Sequence, residues 1–351
     1  MEHSVVCFNP EKFSAWPANG GIWSWGNEIL VSYNRGGFNP EATGHRITKD
    51  GHEAVFARSL DGGMSWRECD FDGSIYSREL KPVPKGGFDF EHEGFVMRVG
   101  RPAVTIKTDS FIVSYDRGES WDGPFAFPEF AHPLTSRTSY LIEGNKKMRA
   151  FMSYSLPRVA DHTAYTDRAF VALTEDGGET WQFVGDITDD IPRSVMPIAV
   201  RLDDGTLVAS MRRRMKGEND GVDDTWIEVR RSDDDGKTWH MPVRAADTYN
   251  KANPSNRNGN PPALCRLADG TLVLAYGRRE PNCPTVRYCI STDGGKTFTK
   301  DSVLRSDPMT EDMGYPRIVA LPDGKCVAVY YIATEERPVQ HIEATVFDPL
   351  A

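Results

Sequence analysis

The sequence predicts an all-β fold, a six-bladed β-propeller of four-stranded antiparallel blades, and three observations carry the prediction. One short turn motif recurs five times at a near-constant period. Each copy follows a strand-length segment, and most copies are preceded by a tight hairpin. A fixed period with the same turn in every unit marks a repeat architecture, and four antiparallel strands per repeat make a propeller blade.

The motif reads Ser59-x-Asp61-x-Gly63-x-Ser65-Trp66, Ser114-x-Asp116-x-Gly118-x-Ser120-Trp121, Thr174-x-Asp176-x-Gly178-x-Thr180-Trp181, Ser232-x-Asp234-x-Gly236-x-Thr238-Trp239 and Ser291-x-Asp293-x-Gly295-x-Thr297-Phe298. Its aspartates are 55, 60, 58 and 59 residues apart. An Asp two residues before a Gly folds its carboxylate back onto backbone N–H groups. The Gly supplies a backbone conformation that a side chain resists, and the closing aromatic is an apolar plug between neighbouring units. These boxes are read as structural.

The strands that lead into the boxes are predicted at 54–59, 111–114, 168–174, 226–232 and 287–291. Hairpins precede them. They span 197–211 about Asp204-Gly205 and 262–276 about Asp269-Gly270. Residues 316–330 form another about Asp323-Gly324, with looser versions at 21–33 and 140–154. Counting hairpins places blades near 16–75, 90–130, 136–188, 194–246, 258–305 and 312–349, one domain over 1–351. The last unit lacks a box, and residues 4–8 are expected to supply its missing strand and latch the ring. No stretch sustains the spacing of a long amphipathic helix.

Composition is that of a globular protein, 39% hydrophobic and 26% charged. A net charge of −10 argues against sequence-independent nucleic-acid binding, which needs Lys and Arg against phosphates. The six cysteines form no metal-ligand spacing and are expected to be reduced. No apolar run approaches a membrane span, and the Met1-Glu2-His3-Ser4 start lacks the regions of a signal peptide, so a cytoplasmic location without a membrane partner is expected. No nucleotide or metal motif occurs, and no cofactor is expected.

The loops that begin each first strand and leave each second strand gather at the end opposite the boxes. They carry Trp16, Asn19, Arg35, His92, Arg137, Met196, Arg212, Arg278, Arg279, Glu311 and Tyr315. A propeller funnels such loops into one axial pocket, which makes a carbohydrate the expected partner of Trp16, Asn19, Arg35 and His92. The tryptophans Trp16, Trp23 and Trp25 suggest a sugar stacked at the wall.

With these boxes on a six-bladed ring, the chain resembles the sialidase (neuraminidase) superfamily over essentially its whole length. The resemblance implies a tyrosine nucleophile with a partner glutamate, an aspartate acid/base and arginines that grip an acidic sugar. Tyr315, opening the segment Tyr315-Pro316-Arg317-Ile318-Val319-Ala320-Leu321-Pro322-Asp323-Gly324, inherits the nucleophile's place. Arg212 inherits the second arginine and Arg287 the third, with Arg278 and Arg279 beside it. Asp50 is the chosen acid/base in a loop that also holds Glu41, His45, His52 and Glu53. Two positions depart from the pattern. Trp16 stands where the family's first arginine is expected, and Met196 stands where the tuning glutamate is expected, with Glu311, Asp312, Glu91 or Glu93 as substitutes.

Three functions therefore stay open at this point. The first is a sialidase-like exo-acting glycoside hydrolase on a terminal acidic sugar. The second is another enzyme on the same ring, either a two-carboxylate glycosidase or a uronate lyase with a Tyr/His pair. The third is a carbohydrate-binding propeller without catalysis.

Overall fold

A computed structural model describes residues 1–42, 44–48, 51–100, 110–128, 130–156, 167–190, 192–215, 223–248, 259–280 and 282–351. Its strands, in chain order, are β1 (Glu2–Cys7); β2 (Lys12–Ala15), β3 (Gly21–Trp25), β4 (Glu28–Gly37), β5 (Glu53–Ser59) and β6 (Arg67–Glu68); β7 (Val96–Val99), β8 (Ser110–Ser114) and β9 (Asp122–Ala126); β10 (Tyr140–Ile142), β11 (Met148–Ser155), β12 (Asp167–Thr174) and β13 (Gln182–Asp186); β14 (Arg193–Arg201), β15 (Leu207–Met215), β16 (Asp224–Ser232) and β17 (His240–Asp247); β18 (Ala263–Arg266), β19 (Leu272–Arg278), β20 (Thr285–Ser291) and β21 (Ser302–Arg305); and β22 (Gly314–Ala320), β23 (Cys326–Ile332) and β24 (His341–Phe347). They form six antiparallel sheets arranged as a six-bladed propeller.

Alternation within the strands explains how the blades stack. Successive side chains of a strand point to opposite faces. In β12, Phe170 and Ala172 join an apolar cluster with blade two, while Ala169 and Val171 join one with blade four. Further clusters join blades one and two, four and five, five and six, and six and one. Every blade is therefore buried on both faces, and its central strands read as apolar runs. The ring is closed by the amino terminus. β1 pairs antiparallel with β24 and supplies the outer strand of the sixth sheet.

Blade two shows three strands among the described residues. Its segment before β7 turns away toward blade three, where Phe88 N–H donates to the Gly177 carbonyl and Phe90 N–H to that of Asn145. The open edge of β7 is met by blade three instead. Met97 N–H donates to Tyr140 OH and Val99 N–H to Thr138 Oγ1.

All five boxes make one hydrogen-bond pattern. In the first, Ser59 Oγ donates to Asp61 Oδ1 and accepts from Gly63 N–H at 2.8 Å, and Asp61 accepts from the Ser65 N–H at 2.9 Å. These bonds outweigh the small cost of burial and pull the Asp61, Asp234 and Asp293 carboxyls down to about 2. The glycine two residues after each box aspartate has φ between 84 and 91°. A Cβ on Gly118 would come within 2.6 Å of Leu30 Cδ2 in the neighbouring blade, so space as well as backbone demands glycine there. The plug role of the aromatic holds for Trp121, whose ring lies 4.6 Å from that of Phe56 in blade one.

All six cysteines are free thiols. No described helix is long and apolar enough to cross a membrane.

Candidate active site

The pocket end is built on a repeated backbone irregularity. Trp16, Met196 and Tyr315 each precede a proline, and each has a positive φ, of 61, 56 and 47° respectively. A non-glycine residue in this region is strained, and such strain gathers at functional sites. In β14 and β22 the pairing register slips at these positions. A slip of this kind re-aims a side chain. Tyr315 packs against Ala18, Val195 and Met196.

The turn before Tyr315 is clamped by one side chain. Asn260 Nδ2 donates to the Met313 carbonyl at 2.9 Å, and its Oδ1 accepts Tyr315 N–H at 2.8 Å. The amide fits because residues 277 and 314 are glycines. A Cβ on Gly314 would lie 2.5 Å from Asn260 Nδ2, and one on Gly277 would lie 2.8 Å from it.

Two arginines flank the phenol. Arg212, from β15, donates from Nη1 to Tyr315 OH at 2.8 Å. The Arg212 and Arg279 guanidinium carbons stand 5.7 and 5.5 Å from the Tyr315 ring centre. Arg279 is itself fixed by Met313 O and Tyr331 OH. Burial alone would push the Tyr315 hydroxyl up. The positive charges of Arg212, Arg279 and His45, with the Arg212 hydrogen bond, outweigh it and bring the phenol down to about 7.

A histidine–aspartate pair completes the group. His45 Nδ1 bonds Asp312 Oδ1 at 2.6 Å, and Tyr331 OH donates to the same oxygen at 2.6 Å. Burial opposes the His45 charge, but the Asp312 bond and charge prevail and hold its pKa above the ordinary value. The Trp16 ring packs edge-on against His45 at 4.9 Å. A phenol, a histidine–aspartate pair and two guanidiniums set side by side are the components of nucleophilic and acid–base catalysis.

The sequence-derived candidates divide accordingly. Tyr315, Arg212, Arg279 and Trp16 come together. Asn19 joins them through a 2.8 Å bond from Arg137 Nε. Glu311 lies half-buried in the turn before Tyr315, its carbonyl accepting Met313 N–H; the neighbouring Asp312 is the carboxylate that meets His45. Asp50 lies outside the described residues.

The other candidates bond elsewhere. Arg287 pairs with Asp301 at 2.7 Å, and Tyr276 donates to the same carboxylate. Arg279, one residue past β19, is the blade-five arginine that reaches the phenol. Arg278, one residue earlier, pairs with Glu280, because neighbours in a strand face opposite ways. Arg35 is held by Glu53 and Glu68. His92 sits at the box end, its ring against that of Tyr115 in the second box. The segment 91–94 belongs there because Arg117 N–H donates to the Gly94 carbonyl.

The expected wall of stacking tryptophans is not formed. Trp16 is 5% exposed and supports His45. Trp23 Nε1 donates to Tyr140 OH, and Trp25 lies at the box end beneath Arg117. Sequence reasoning passed over His45, Asn260, Arg137 and Arg317 as principal residues. Three of these stand in loops it had marked, and Arg317 stands two residues after the chosen tyrosine. Among the described residues, no group of three or more His, Cys, Asp or Glu side chains is placed to hold a metal ion.

Comparison with solved structures places the fold in familiar company. A protein of unknown function from Dyadobacter fermentans superposes with a TM-score of 0.72 at 21% identity, covering 99% of this chain and 97% of that one. The alpha-L-arabinanase of Penicillium chrysogenum, solved with arabinobiose, gives 0.64 at 14% identity over 100% and 98%. The NanB sialidase of Streptococcus pneumoniae gives 0.57 at 10% identity over 98% and 70%. At these identities the likeness is one of fold. No curated protein matches the chain in sequence. The profile of the BNR repeat-like domain matches residues 95–332, which hold four of the five boxes and both Arg212 and Tyr315. By that match and by its sialidase-like ring, the chain belongs to the BNR repeat-like domain family.

Proposed function

We propose that this protein is a glycoside hydrolase that releases a terminal acidic sugar, with Tyr315 as nucleophile. One observation carries the reading: the Tyr315 hydroxyl accepts a hydrogen bond from Arg212 while Arg279 stands over the same ring. A phenol ordinarily ionises near 10. Here burial is outweighed by the charges of Arg212, Arg279 and His45, which bring it down to about 7.

The chemistry follows from the geometry. The Arg212 and Arg279 guanidiniums hold the sugar's carboxylate, for which their planar forks are suited. The Tyr315 phenolate attacks the anomeric carbon as the glycosidic bond breaks, and the leaving oxygen takes the proton of the His45 imidazolium. His45 then removes a proton from water, whose oxygen attacks the same carbon and releases the phenolate. Asp312 stabilises the charged imidazole and sets its orientation. The fold likeness to an arabinanase and to a sialidase supports a glycosidase in general. The arginines favour an acidic sugar over a neutral one.

The test is turnover of aryl glycosides of acidic sugars, glucuronides and sialosides, by the wild type and by Tyr315→Phe. Release by the wild type alone supports the reading, and equal release by the variant overturns the nucleophile. A second reading is favoured by the Tyr315/His45 pairing, which would also suit proton abstraction from a uronate. A lyase would leave an unsaturated, ultraviolet-absorbing sugar and release nothing from the aryl glycosides.

A further inference from the structure

Three arginines around the axis, Arg98, Arg137 and Arg317, hold only neutral partners among the described residues, and Arg212 holds the Tyr315 hydroxyl. Arg98 donates to Ser32, Tyr76, Asn34 and the Gly100 carbonyl. Arg137 donates to Asn19 Oδ1 and the Ser136 carbonyl, and Arg212 to Tyr315. Arg317 donates to the Ala18 and Thr138 carbonyls, and its buried Nε has no partner. The contrast within blade four is direct. Arg193, Arg213 and Arg214 are matched by Asp167, Asp190 and Asp223.

Buried cations without counter-ions are costly, and these repel one another. Burial, then the charges of Arg212, Arg98 and Arg193, bring Arg137 down to about 10, against the pull of Tyr315. Burial and Arg137 do the same to Arg317. The Tyr315 phenolate answers Arg212, and Asp312 acts on Arg279. Among the described residues Arg98, Arg137 and Arg317 are left without a counter-charge, and of these Arg137 is the half-buried one.

Their placement is ordered. Asn19 and the Ser136 carbonyl fix Nε and Nη1 of the half-buried Arg137 guanidinium, and among the described residues no hydrogen bond engages Nη2. Arg317 is tied to Ala18 and Thr138, the chain neighbours of Asn19 and Arg137, and so stands behind the pair.

We infer that Arg137, backed by Arg317, is a second oxyanion subsite, so that the sugar taken carries a sulfate or phosphate ester or a further carboxylate besides the group held by Arg212 and Arg279. Arg137 makes the contact; Arg317 is a positioning residue that adds its field. The sugar part of this inference rests on the acidic-sugar reading above, while the anion subsite stands on the arginines alone.

The experiment uses the full chain with three probes: inorganic sulfate, glucuronate, and a glucuronate bearing a sulfate ester. Calorimetry and melting temperature are read for the wild type, Arg137→Gln and Arg212→Gln. The sulfated uronate is expected to bind the wild type about ten- to a hundredfold more tightly than glucuronate, the range for a charge-assisted hydrogen bond. Arg137→Gln should erase that preference, weakening the sulfated uronate about ten- to a hundredfold more than glucuronate. Inorganic sulfate should raise the melting temperature of the wild type and of Arg212→Gln, and not that of Arg137→Gln.

Equal weakening of both uronates by Arg137→Gln would place Arg137 in the first clamp and overturn the subsite. So would sulfate stabilising Arg137→Gln as well as the wild type. If Arg137→Gln fails a circular-dichroism check of folding, Asn19→Ala frees the guanidinium without removing it, and an unchanged preference in that variant overturns the inference. Sulfate binding that needs Arg137, with no uronate bound, keeps the subsite and sinks the acidic-sugar hydrolase. Turnover of acidic sugars with no preference for the ester does the reverse.

Discussion

The two ends of this propeller use repetition in opposite ways. At the box end, Asp61, Asp116, Asp176, Asp234 and Asp293 repeat one side chain, one bonding pattern and one glycine conformation. At the pocket end, Trp16, Met196 and Tyr315 repeat only the backbone. Each has a left-handed φ before a proline, yet the three side chains are an indole, a thioether and a phenol. The lesson is that repeated side chains build the ring, and a repeated backbone with divergent side chains builds the site. An aspartate whose bonds are all made within its own turn has nothing left for a ligand. A phenol held open between two guanidiniums does.

The comparison breaks most readily at Tyr315. Tyr315→Phe is expected to lower kcat by four orders of magnitude or more, as loss of a nucleophile does, with the melting temperature little changed. A variant that retains wild-type turnover removes the pocket's claim to be chemically special.

Arg212→Gln comes next. Losing one adjacent cation moves a pKa by about 1–3 units, so the Tyr315 ionisation should climb from about 7 toward its ordinary value. Activity of the wild type should rise with pH through about 7, because the depressed phenol is protonated below that point. In the variant this acid limb should shift upward, with kcat at pH 7 falling about ten- to a thousandfold. A pH profile whose acid limb stays in place assigns that limb to another group.

Asp312→Asn probes the alkaline side. His45 is held charged by Asp312, and a raised imidazole keeps its proton until pH rises through the folded value. Without the carboxylate the alkaline limb should move down in pH. An alkaline limb that does not move would show that His45 is not the proton donor.

The smallest effect is expected at the box end. Ser232→Ala leaves the buried Gly236 N–H without its acceptor, which costs about 1–3 kcal/mol. The melting temperature should fall while kcat/KM stays at the wild-type value. Loss of activity without loss of stability would put the boxes in the site.

Much of this molecule is readable without coordinates because its determinants are local. A box needs a carboxylate, a glycine and an aromatic within eight residues, and the chain spells that out five times. The hairpins at Asp204-Gly205, Asp269-Gly270 and Asp323-Gly324 are likewise turn chemistry, and the alternation of β12 follows from strand geometry. Tyr315 and Arg212 could be named because the sialidase resemblance implies a tyrosine and an arginine at those places in the repeat. Arg279 could not be preferred over Arg287, since both lie near the same strand ends. The choice turns on which face of a twisted strand meets the axis. His45, Asn260 and Arg137 escaped for a related reason: each acts through a partner far along the chain, Asp312, Tyr315 and Asn19.

By itself, then, the sequence determined the ring, its period and the boxes that stiffen it, since short-range hydrogen bonding and side-chain alternation suffice for those. Only the tertiary structure decided which charges share the axis. Coulomb interactions act over a few ångströms of space, whatever the separation in sequence. Closure of the ring is what brings residues 45, 137, 212, 279 and 315 within that reach of one another.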